Sequence, residues 1–192
     1  KAEVLFVDYI LEHLTPKGRA AIIVPDGIAF NSNSGFTELR KLVVDSGLWA
    51  IVELPRGVFL PYSPVKTHIL FIDNDKKTDD VLHINIENDG FNLSNDRKSI
   101  EGGQLPMALE YLKGEKKVDG DVYSSKKNTF CVSIPKEKIL EKEINSHKGK
   151  ISKKVKIYSL HRVDYEKIRN FKTQHPIKSL SDLAMEGSIE FL

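Results

Sequence analysis

The sequence predicts an α/β protein built on a doubly wound, mostly parallel sheet. Helical and strand-like segments alternate over residues 1–73, as they do in sheets of this class. The strand-like run AAIIVP is almost wholly apolar, which is typical of a parallel strand buried on both faces. The last two runs, LWAIVELP and THILFID, are joined without a helix, so we expect an antiparallel strand at the edge of the sheet.

The first segment, residues 1–14, is predicted to be an apolar helix that the turn residues TPKG bring to an end. Its apolar residues recur at a spacing of three to four. The stripe expected to face the core consists of Ala2, Leu5, Phe6, Tyr9, Ile10 and Leu14.

The segment after AAIIVP is DGIAFNSNSG, whose Asn, Ser and Gly residues predict a loop. An amphipathic helix is predicted over FTELRKLVVDSG, with Gly47 as its left-handed cap. The apolar stripe expected on this helix consists of Phe36, Leu39, Leu42 and Val43.

The chain changes character at Asn74, where the charged turn NDKKTDD begins. Beyond it, VLHINIEND alternates as an exposed strand does, and LPMALEYLKG predicts a short helix with Pro106 early and Gly114 at its end. TFCVSI then predicts a strand and KEKILEKEI a helix. The expected division is the sheet in residues 1–75, an α+β extension in 76–146, a basic linker in 147–178, and the start of a further module in 179–192.

Composition narrows the classes of protein. A hydrophobic content of 40% and a charged content of 29% indicate a soluble, folded chain. No apolar stretch approaches the roughly 18 residues that a membrane helix needs. The single cysteine, Cys131, excludes an intrachain disulfide and fits a reducing cytoplasm. One cysteine with scattered histidines, which show no ligand spacing, argues against a metal site.

Charge is unevenly distributed along the chain, although its net value is only +2. Residues 148–178 carry ten Lys or Arg against two carboxylates, Asp164 and Glu166. Such a segment is either a face that binds nucleic acid or a solvated linker, and the sequence leaves both interpretations open.

Common catalytic and cofactor motifs do not occur. The chain contains neither GxGxxG nor GxxxxGK followed by Ser or Thr, and neither GxSxG, HExxH nor CxxC. Asp26 follows the carboxyl end of a predicted strand, where open α/β sheets bind ligands. Pro-Asp-Gly is also ordinary turn chemistry, and we favour the turn for Asp26.

The loop ELPRGVFLPYSPVKT is the most informative stretch. It begins at Glu53, which ends a strand, and carries the aromatic residues Phe59 and Tyr62 and the cations Arg56 and Lys66. Enzymes that modify a base in duplex DNA turn that base out of the helix and hold it between aromatic or apolar side chains. The alternative is that both rings pack beneath the loop.

Three segments in order resemble one family: LTPKGRAAIIVPDGIAF, LRKLVVDSGLWAIVELPRGVFLPYSPVKTHILFID and DGFNLSNDRKSIEGGQLP. They look like the methylating subunit of Type I restriction–modification systems, a family of adenine-N6 DNA methyltransferases that use S-adenosylmethionine. The resemblance covers roughly residues 1–113. FCVSIPKEKILEKE and YSLHRVDY are similar to the carboxyl-terminal region of that family.

The resemblance implies the carboxyl-terminal part of a doubly wound, Rossmann-like methyltransferase sheet with an antiparallel edge strand, followed by a smaller α+β extension. The family's glycine-bearing cofactor motif and its Asn-Pro-Pro-aromatic tetrapeptide would lie upstream of Lys1, and this sequence contains neither. The chain also opens without Met, inside a predicted helix. We therefore expect a fragment that is inactive alone, with no catalytic residue, no tight S-adenosylmethionine binding and no metal.

The resemblance also implies roles for the loop. Phe59 is its best match to the aromatic residue that stacks on the target base, and Tyr62 is the second. Arg56, Lys66 and Thr67 are expected to contact DNA or to shape the base pocket. Which of the two rings faces the base stays open.

The partners implied are double-stranded DNA, a specificity subunit or a fused target-recognition domain, and a restriction subunit, all in the cytoplasm. EKIRNFKTQHPIKSLSDLAMEGSIEFL resembles the lead-in to such a recognition domain. Two alternatives remain at this point. Residues 75–192 could form a docking or DNA-binding module without chemistry that contacts a specificity subunit, or the chain could belong to another nucleotide-dependent α/β enzyme.

Overall fold

The structure is a computed structural model of the 192-residue chain. It describes residues 2–31, 33–118, 130–139, 142–144, 153–155 and 160. Its elements are α1 (Ala2–Glu12), β1 (Arg19–Pro25), α2 (Asp26–Phe30), α3 (Ser34–Asp45), β2 (Leu48–Glu53), β3 (Thr67–Asp73), β4 (Asp80–Asn85), α4 (Leu105–Lys113), β5 (Cys131–Pro135), α5 (Lys136–Ile139), β6 (Lys142–Ile144) and β7 (Lys153–Val155).

Within the described residues, five strands form one mixed sheet in the order β1-β3-β2-β4-β5. Strand β3 is antiparallel to both β1 and β2, and β4 is parallel to β2. The α/β class and the antiparallel direction of β3 are therefore confirmed. The edge position expected for β3 is wrong, because β3 lies between β1 and β2. Strand order depends on contacts between distant residues, so a pattern read along the chain does not fix it.

Alternate strand residues feed two hydrophobic clusters, as the two-residue period of a strand requires. On β3, Leu70 and Ile72 join one cluster, while Ile69 and Phe71 pack against the other. The first cluster also receives side chains from α1, α2 and α3, and the second from α4. The sheet is thus covered by helices on both faces, which is the layered arrangement of the α/β class.

Helix α1 confirms the predicted segment but turns a different side to the core. Val7 and Leu11 are buried, whereas Leu5, Phe6 and Tyr9 are 60–69% exposed. The expected stripe is right for Ile10 and Leu14, which pack against the core, and wrong for the three exposed residues. Because α1 is apolar on nearly every side, spacing alone does not identify the buried face.

Strand β1 is covered on one face, not on two as expected. Ile22 and Val24 are buried, but Ile23 between them is 54% exposed. The second cluster receives no described β1 side chain, because α4 packs against the other strands.

The segment DGIAFNSNSG was predicted to be a loop, but its first five residues form α2. Helix α3 is confirmed, with Phe36, Leu39 and Val43 buried. Leu42 of the expected stripe is partly exposed, and Arg40 is buried instead. The Arg40 guanidinium reaches inward to donate a 2.9 Å hydrogen bond to the carbonyl oxygen of Ile28.

Beyond residue 75 the same sheet continues, because β4 and β5 extend it past the expected boundary. Strand β4 was expected to be exposed, yet Val81, His83 and Ile84 are fully buried. Helix α4 is confirmed, and Gly114 at its end is left-handed, with φ of +75°. The helix predicted over residues 136–144 is wrong in its second half, because α5 ends at Ile139 and the chain enters β6.

Strands β6 and β7 pair antiparallel, and β7 falls inside the expected basic linker. The expected module in residues 179–192 lies outside the described residues, and the division into four parts stays a prediction. Among the helices that the structure describes, none has the length and apolar character needed to cross a membrane.

Candidate functional site

The β2–β3 loop, residues 54–66, leaves the sheet at the carboxyl ends of β1 and β2. The amide of Leu54 donates a 3.0 Å hydrogen bond to the carbonyl oxygen of Thr67, and the amide of Asp26 donates a 2.9 Å bond to that of Lys66. Both ends of the loop are therefore fastened at the carboxyl ends of the strands, which is where proteins of this class bind their ligands.

Inside the loop, consecutive turns fold the chain back on itself. Gly57 has φ of +79°, and its carbonyl oxygen accepts a 3.1 Å hydrogen bond from the amide of Leu60. The carbonyl oxygen of Phe59 accepts bonds of 2.9 and 3.0 Å from the amides of Tyr62 and Ser63. Left-handed backbone favours glycine, which explains why Gly stands at position 57.

The two aromatic side chains of this loop are exposed to different extents. Tyr62 is 94% exposed and Phe59 is 36% exposed. The alternative in which both rings pack beneath the loop therefore does not hold for Tyr62. Each ring presents an apolar face near the sheet edge, which is the kind of surface on which a base can stack.

The three predicted DNA-contact residues differ in how far they reach solvent. Arg56 is exposed, Lys66 is half-buried, and Thr67 is buried. The hydroxyl of Thr67 has no hydrogen-bond partner among the described residues. The structure thus brings these side chains to the loop and to the start of β3. Their contact with DNA stays a prediction.

A buried carboxylate, Glu53, lies at the base of the loop. It accepts a hydrogen bond from the ammonium of Lys66, and its Oε2 is 3.9 Å from Nε2 of the buried His83. Burial alone would raise the pKa of Glu53, but the Lys66 hydrogen bond and the charges of His83, Lys66 and His68 together outweigh it. The pKa of Glu53 is consequently held below its ordinary value.

A second polar pair lies beside the first. Nε2 of the buried His68 is 2.7 Å from Oδ1 of Asp26, at the first residue of α2. Because a carboxylate only accepts, the imidazole donates this bond. Asp26 therefore does more than shape the turn that we favoured for it.

Sequence reasoning missed both pairs. Glu53 and His68 are cross-strand partners on β2 and β3, and Lys66 precedes β3. For the Glu53–Lys66 pair the signal was present, since an acid at the end of one strand and a base at the start of the next meet when the two pair antiparallel.

The β4–α4 loop, residues 86–104, packs beside the β2–β3 loop. The carboxylate of Asp89 in this loop is buried and forms an ion pair with Arg97. Nη1 of Arg97 also lies 3.4 Å from the carbonyl oxygen of Gly57. Two separate loops therefore meet at one guanidinium.

The described part of the chain contains no group of three or more His, Cys, Asp or Glu residues placed to hold a metal ion. The acids Glu53, Asp26 and Asp89 are instead paired with lysine, histidine and arginine, respectively. The arrangement suits holding an uncharged, planar group on the surface of the loop. The polar side chains beneath the loop have their charges paired.

Comparison with solved structures identifies proteins that share this fold. The modification subunit assigned to a type I restriction enzyme of Vibrio vulnificus YJ016 superposes with a TM-score of 0.56 at 19% identity, covering 96% of this chain and 33% of that one. At this identity the likeness shows a shared fold. The described architecture therefore shares the α/β fold of that subunit.

Sequence similarity identifies the family. Residues 1–158 match the family model N-6 DNA Methylase, and the chain belongs to that family. The methylase subunit of the Type I restriction enzyme EcoEI from Escherichia coli is 44% identical over 78 residues, covering 40% of this chain and 16% of that subunit. The EcoKI methylase subunit from E. coli K12 is 31% identical over 128 residues, covering 62% and 22%.

These matches confirm the resemblance to Type I methylase subunits, and the alternative of an unrelated nucleotide-dependent enzyme is wrong. The chain spans about a fifth of the length of the two curated relatives.

Proposed function

We propose that this chain is the carboxyl-terminal part of a longer adenine-N6 DNA methyltransferase of a Type I-like restriction–modification system. Its family membership and its coverage of only 16% and 22% of two methylase subunits support this proposal. The absence of Asn-Pro-Pro and of a glycine-bearing cofactor motif from the sequence agrees with it. The longer enzyme acts in the cytoplasm on double-stranded DNA, with a specificity subunit or a fused recognition domain, and with a restriction subunit.

Within that enzyme, the β2–β3 loop receives the adenine that is turned out of the duplex. The observation that carries this role is the exposure of Phe59 and Tyr62 on a loop whose two ends are fastened at the ligand-binding edge of the sheet. Stacking on an aromatic ring contributes about 1–3 kcal/mol per base, which offsets part of the cost of unpairing and unstacking.

The residues of this chain hold and orient the base, while the groups that react lie elsewhere in the enzyme. S-adenosylmethionine, when bound, supplies the methyl group. The loop shields the extruded base from water, and the Glu53–Lys66 pair keeps the loop in place. Arg56 at the exposed side of the loop can meet a DNA phosphate.

The experiment uses the complete enzyme with its specificity subunit. The target site is first mapped by sequencing methylated adenines, and 2-aminopurine then replaces the target adenine in a duplex. We expect Phe59→Ala or Tyr62→Ala to reduce the fluorescence rise on binding and the methylation rate. The ring whose loss reduces both more is the one that faces the base.

The matched control is Tyr9→Ala, which removes another exposed ring, on α1. It is expected to keep wild-type fluorescence and methylation. If both loop variants behave like this control, the loop does not hold the base.

The 192-residue chain alone is expected neither to methylate DNA nor to bind S-adenosylmethionine tightly. Methyl transfer by the purified chain would contradict the proposal that it is only part of the enzyme.

A second candidate role is a docking or DNA-binding module without chemistry. It is favoured by the ten Lys or Arg in residues 148–178, most of which lie outside the described residues. Phosphate contacts by this segment predict that the affinity of the 192-residue chain for duplex DNA falls steeply with salt. Absence of binding at low salt would leave this segment as a linker.

A further inference from the structure

The β2–β3 loop has internal turns that fix its shape but not its place relative to the sheet. Its backbone-to-backbone hydrogen bonds at Gly57 and Phe59 are all local, and its backbone anchors at Leu54 and Lys66 lie at the two ends. The segment between them carries Phe59 and needs a support outside the loop if the ring is to stay where a base can meet it.

The β4–α4 loop supplies a neighbour for that segment. A β-carbon built on Gly57 would lie 3.9 Å from Cδ2 of Leu93, so this leucine lies against the turn. The β4–α4 loop is itself well tied. The amide of Ile100 donates a 2.9 Å hydrogen bond to the carbonyl oxygen of Gly90, and the side-chain oxygen of Gln104 accepts bonds of 2.7 and 3.0 Å from two backbone amides.

Arg97 is the residue that joins the two loops. Its Nη2 pairs with Oδ2 of the buried Asp89, while its Nη1 is 3.4 Å from the carbonyl oxygens of both Gly57 and Asn92. Its guanidinium carbon lies 5.4 Å from the ring centre of Phe91. The other carboxylate oxygen of Asp89 accepts a 3.3 Å bond from the amide of Phe91, so the anchor of Arg97 is itself held.

The backbone of Arg97 supports the same interpretation. Its φ is +42°. Among the described residues, Arg97 is the one non-glycine residue with a positive φ. Such conformations persist where surrounding contacts determine them, and they cluster at sites with a function.

We propose that Arg97 is a positioning residue for the β2–β3 loop. Its guanidinium ties the turn at Gly57 to the buried carboxylate of Asp89 and thereby sets where Phe59 meets the target base. This inference rests on the proposed function. A planar guanidinium has donors pointing in several directions and can bridge a carboxylate and a carbonyl group at once, whereas the ammonium of lysine is a compact point charge.

The competing role is a direct contact between Arg97 and a DNA phosphate. The charge of Arg97 is already matched by Asp89, and its side chain is only 19% exposed. The two roles separate by substitution. Arg97→Lys keeps the charge and removes the fork, and Lys98→Ala removes one exposed charge from the same loop while leaving the Asp89–Arg97 pair intact.

The test uses the complete enzyme, its specificity subunit and the 2-aminopurine duplex, at a temperature where every variant is folded. We expect Arg97→Lys and Arg97→Ala to lower the fluorescence rise and kcat, by roughly ten- to a hundred-fold in kcat, as a misplacement of about 1 Å can. DNA affinity and its salt dependence should stay at wild-type values. Lys98→Ala should leave kcat unchanged.

Each outcome decides between the roles. Arg97→Lys with wild-type kcat and fluorescence overturns the positioning role, and so does a salt dependence that weakens equally in Arg97→Ala and Lys98→Ala. If Arg97→Ala fails to fold, Arg97→Lys and Asp89→Asn carry the test, because both keep the side-chain volume nearly constant. A wild-type enzyme that neither methylates adenine nor raises the fluorescence overturns the proposed function and this inference together. Loss of signal in Phe59→Ala without loss in Arg97→Lys overturns this inference alone.

Discussion

Lys66 donates a hydrogen bond to the buried carboxylate of Glu53, so one ion pair joins the last residue of β2 to the last residue of the β2–β3 loop. The side chain of Glu53 is 8% exposed and that of Lys66 is 25% exposed. Little solvent screens the pair, and His83 lies on its far side. The pair therefore holds the two ends of the loop together, and this link depends on the charges of both Glu53 and Lys66.

Removing the ammonium should destabilise the fold. Lys66→Met leaves the Glu53 carboxylate buried without its main partner, and we expect a loss of roughly 1–3 kcal/mol in the free energy of unfolding. The measurement is urea unfolding of the 192-residue chain. The control is Lys41→Met, which breaks the exposed i,i+4 pair with Asp45 and should cost no more than about 0.5 kcal/mol. Equal losses in the two variants would show that the Glu53–Lys66 pair is no stronger than a surface pair.

The same pair predicts a pH dependence of stability. The pKa of Glu53 is lower in the folded chain than its ordinary value of 4.5. The stability contributed by its ionised form is therefore present above 4.5 and is lost as the pH falls through the lower folded pKa. We expect Glu53→Gln to flatten the fall in unfolding free energy over this acidic window. Urea midpoints measured from neutral pH down through the window test this, and parallel curves for wild type and variant would contradict it.

Local chemistry was predictable from the sequence where neighbours along the chain decide the structure. The antiparallel joining of β2 and β3, the helix α4 and the left-handed Gly47 all follow from residues within one segment. The position of the loop with Phe59 and Tyr62 was predictable for the same reason, since it stands between two recognisable strands, whereas the exposure of its rings was left open.

What depends on distant contacts was not predictable. The insertion of β3 between β1 and β2 requires pairing across the whole segment, and the hydrogen bond between His68 and Asp26 joins residues that are 42 positions apart. The buried face of α1 was predicted only in part, because nearly every side of that helix is apolar. The bridge from Arg97 to Gly57 spans 40 positions and leaves no periodic pattern in the sequence.

Substitution of Gly47 should destabilise the fold. Its φ is +93°, and a β-carbon there would overlap the carbonyl oxygen of Asp73 at the end of β3. We expect Gly47→Ala to lower the free energy of unfolding by about 2 kcal/mol or more, because the left-handed backbone alone costs roughly 1–2 kcal/mol for alanine. The control is Gly35→Ala in α3, where a β-carbon meets nothing within 4 Å and alanine should stabilise by up to about 1 kcal/mol. Thermal unfolding of both variants decides, and a neutral Gly47→Ala would mean that the α3–β2 turn relaxes freely.

Arg56 offers the most direct measure of DNA contact at the β2–β3 loop. Its side chain is exposed beside the turn at Gly57, where a phosphate can approach without disturbing a buried group. In the complete enzyme we expect Arg56→Ala to weaken binding to every duplex alike and to lower the slope of log affinity against log salt by about 1, since one released counterion is lost per phosphate contact. The control is Lys113→Ala, an exposed cation at the end of α4, which should keep the wild-type slope. An unchanged slope for Arg56→Ala would mean that the loop meets the base without gripping the backbone, and the positioning of Phe59 would then depend on contacts within the protein alone.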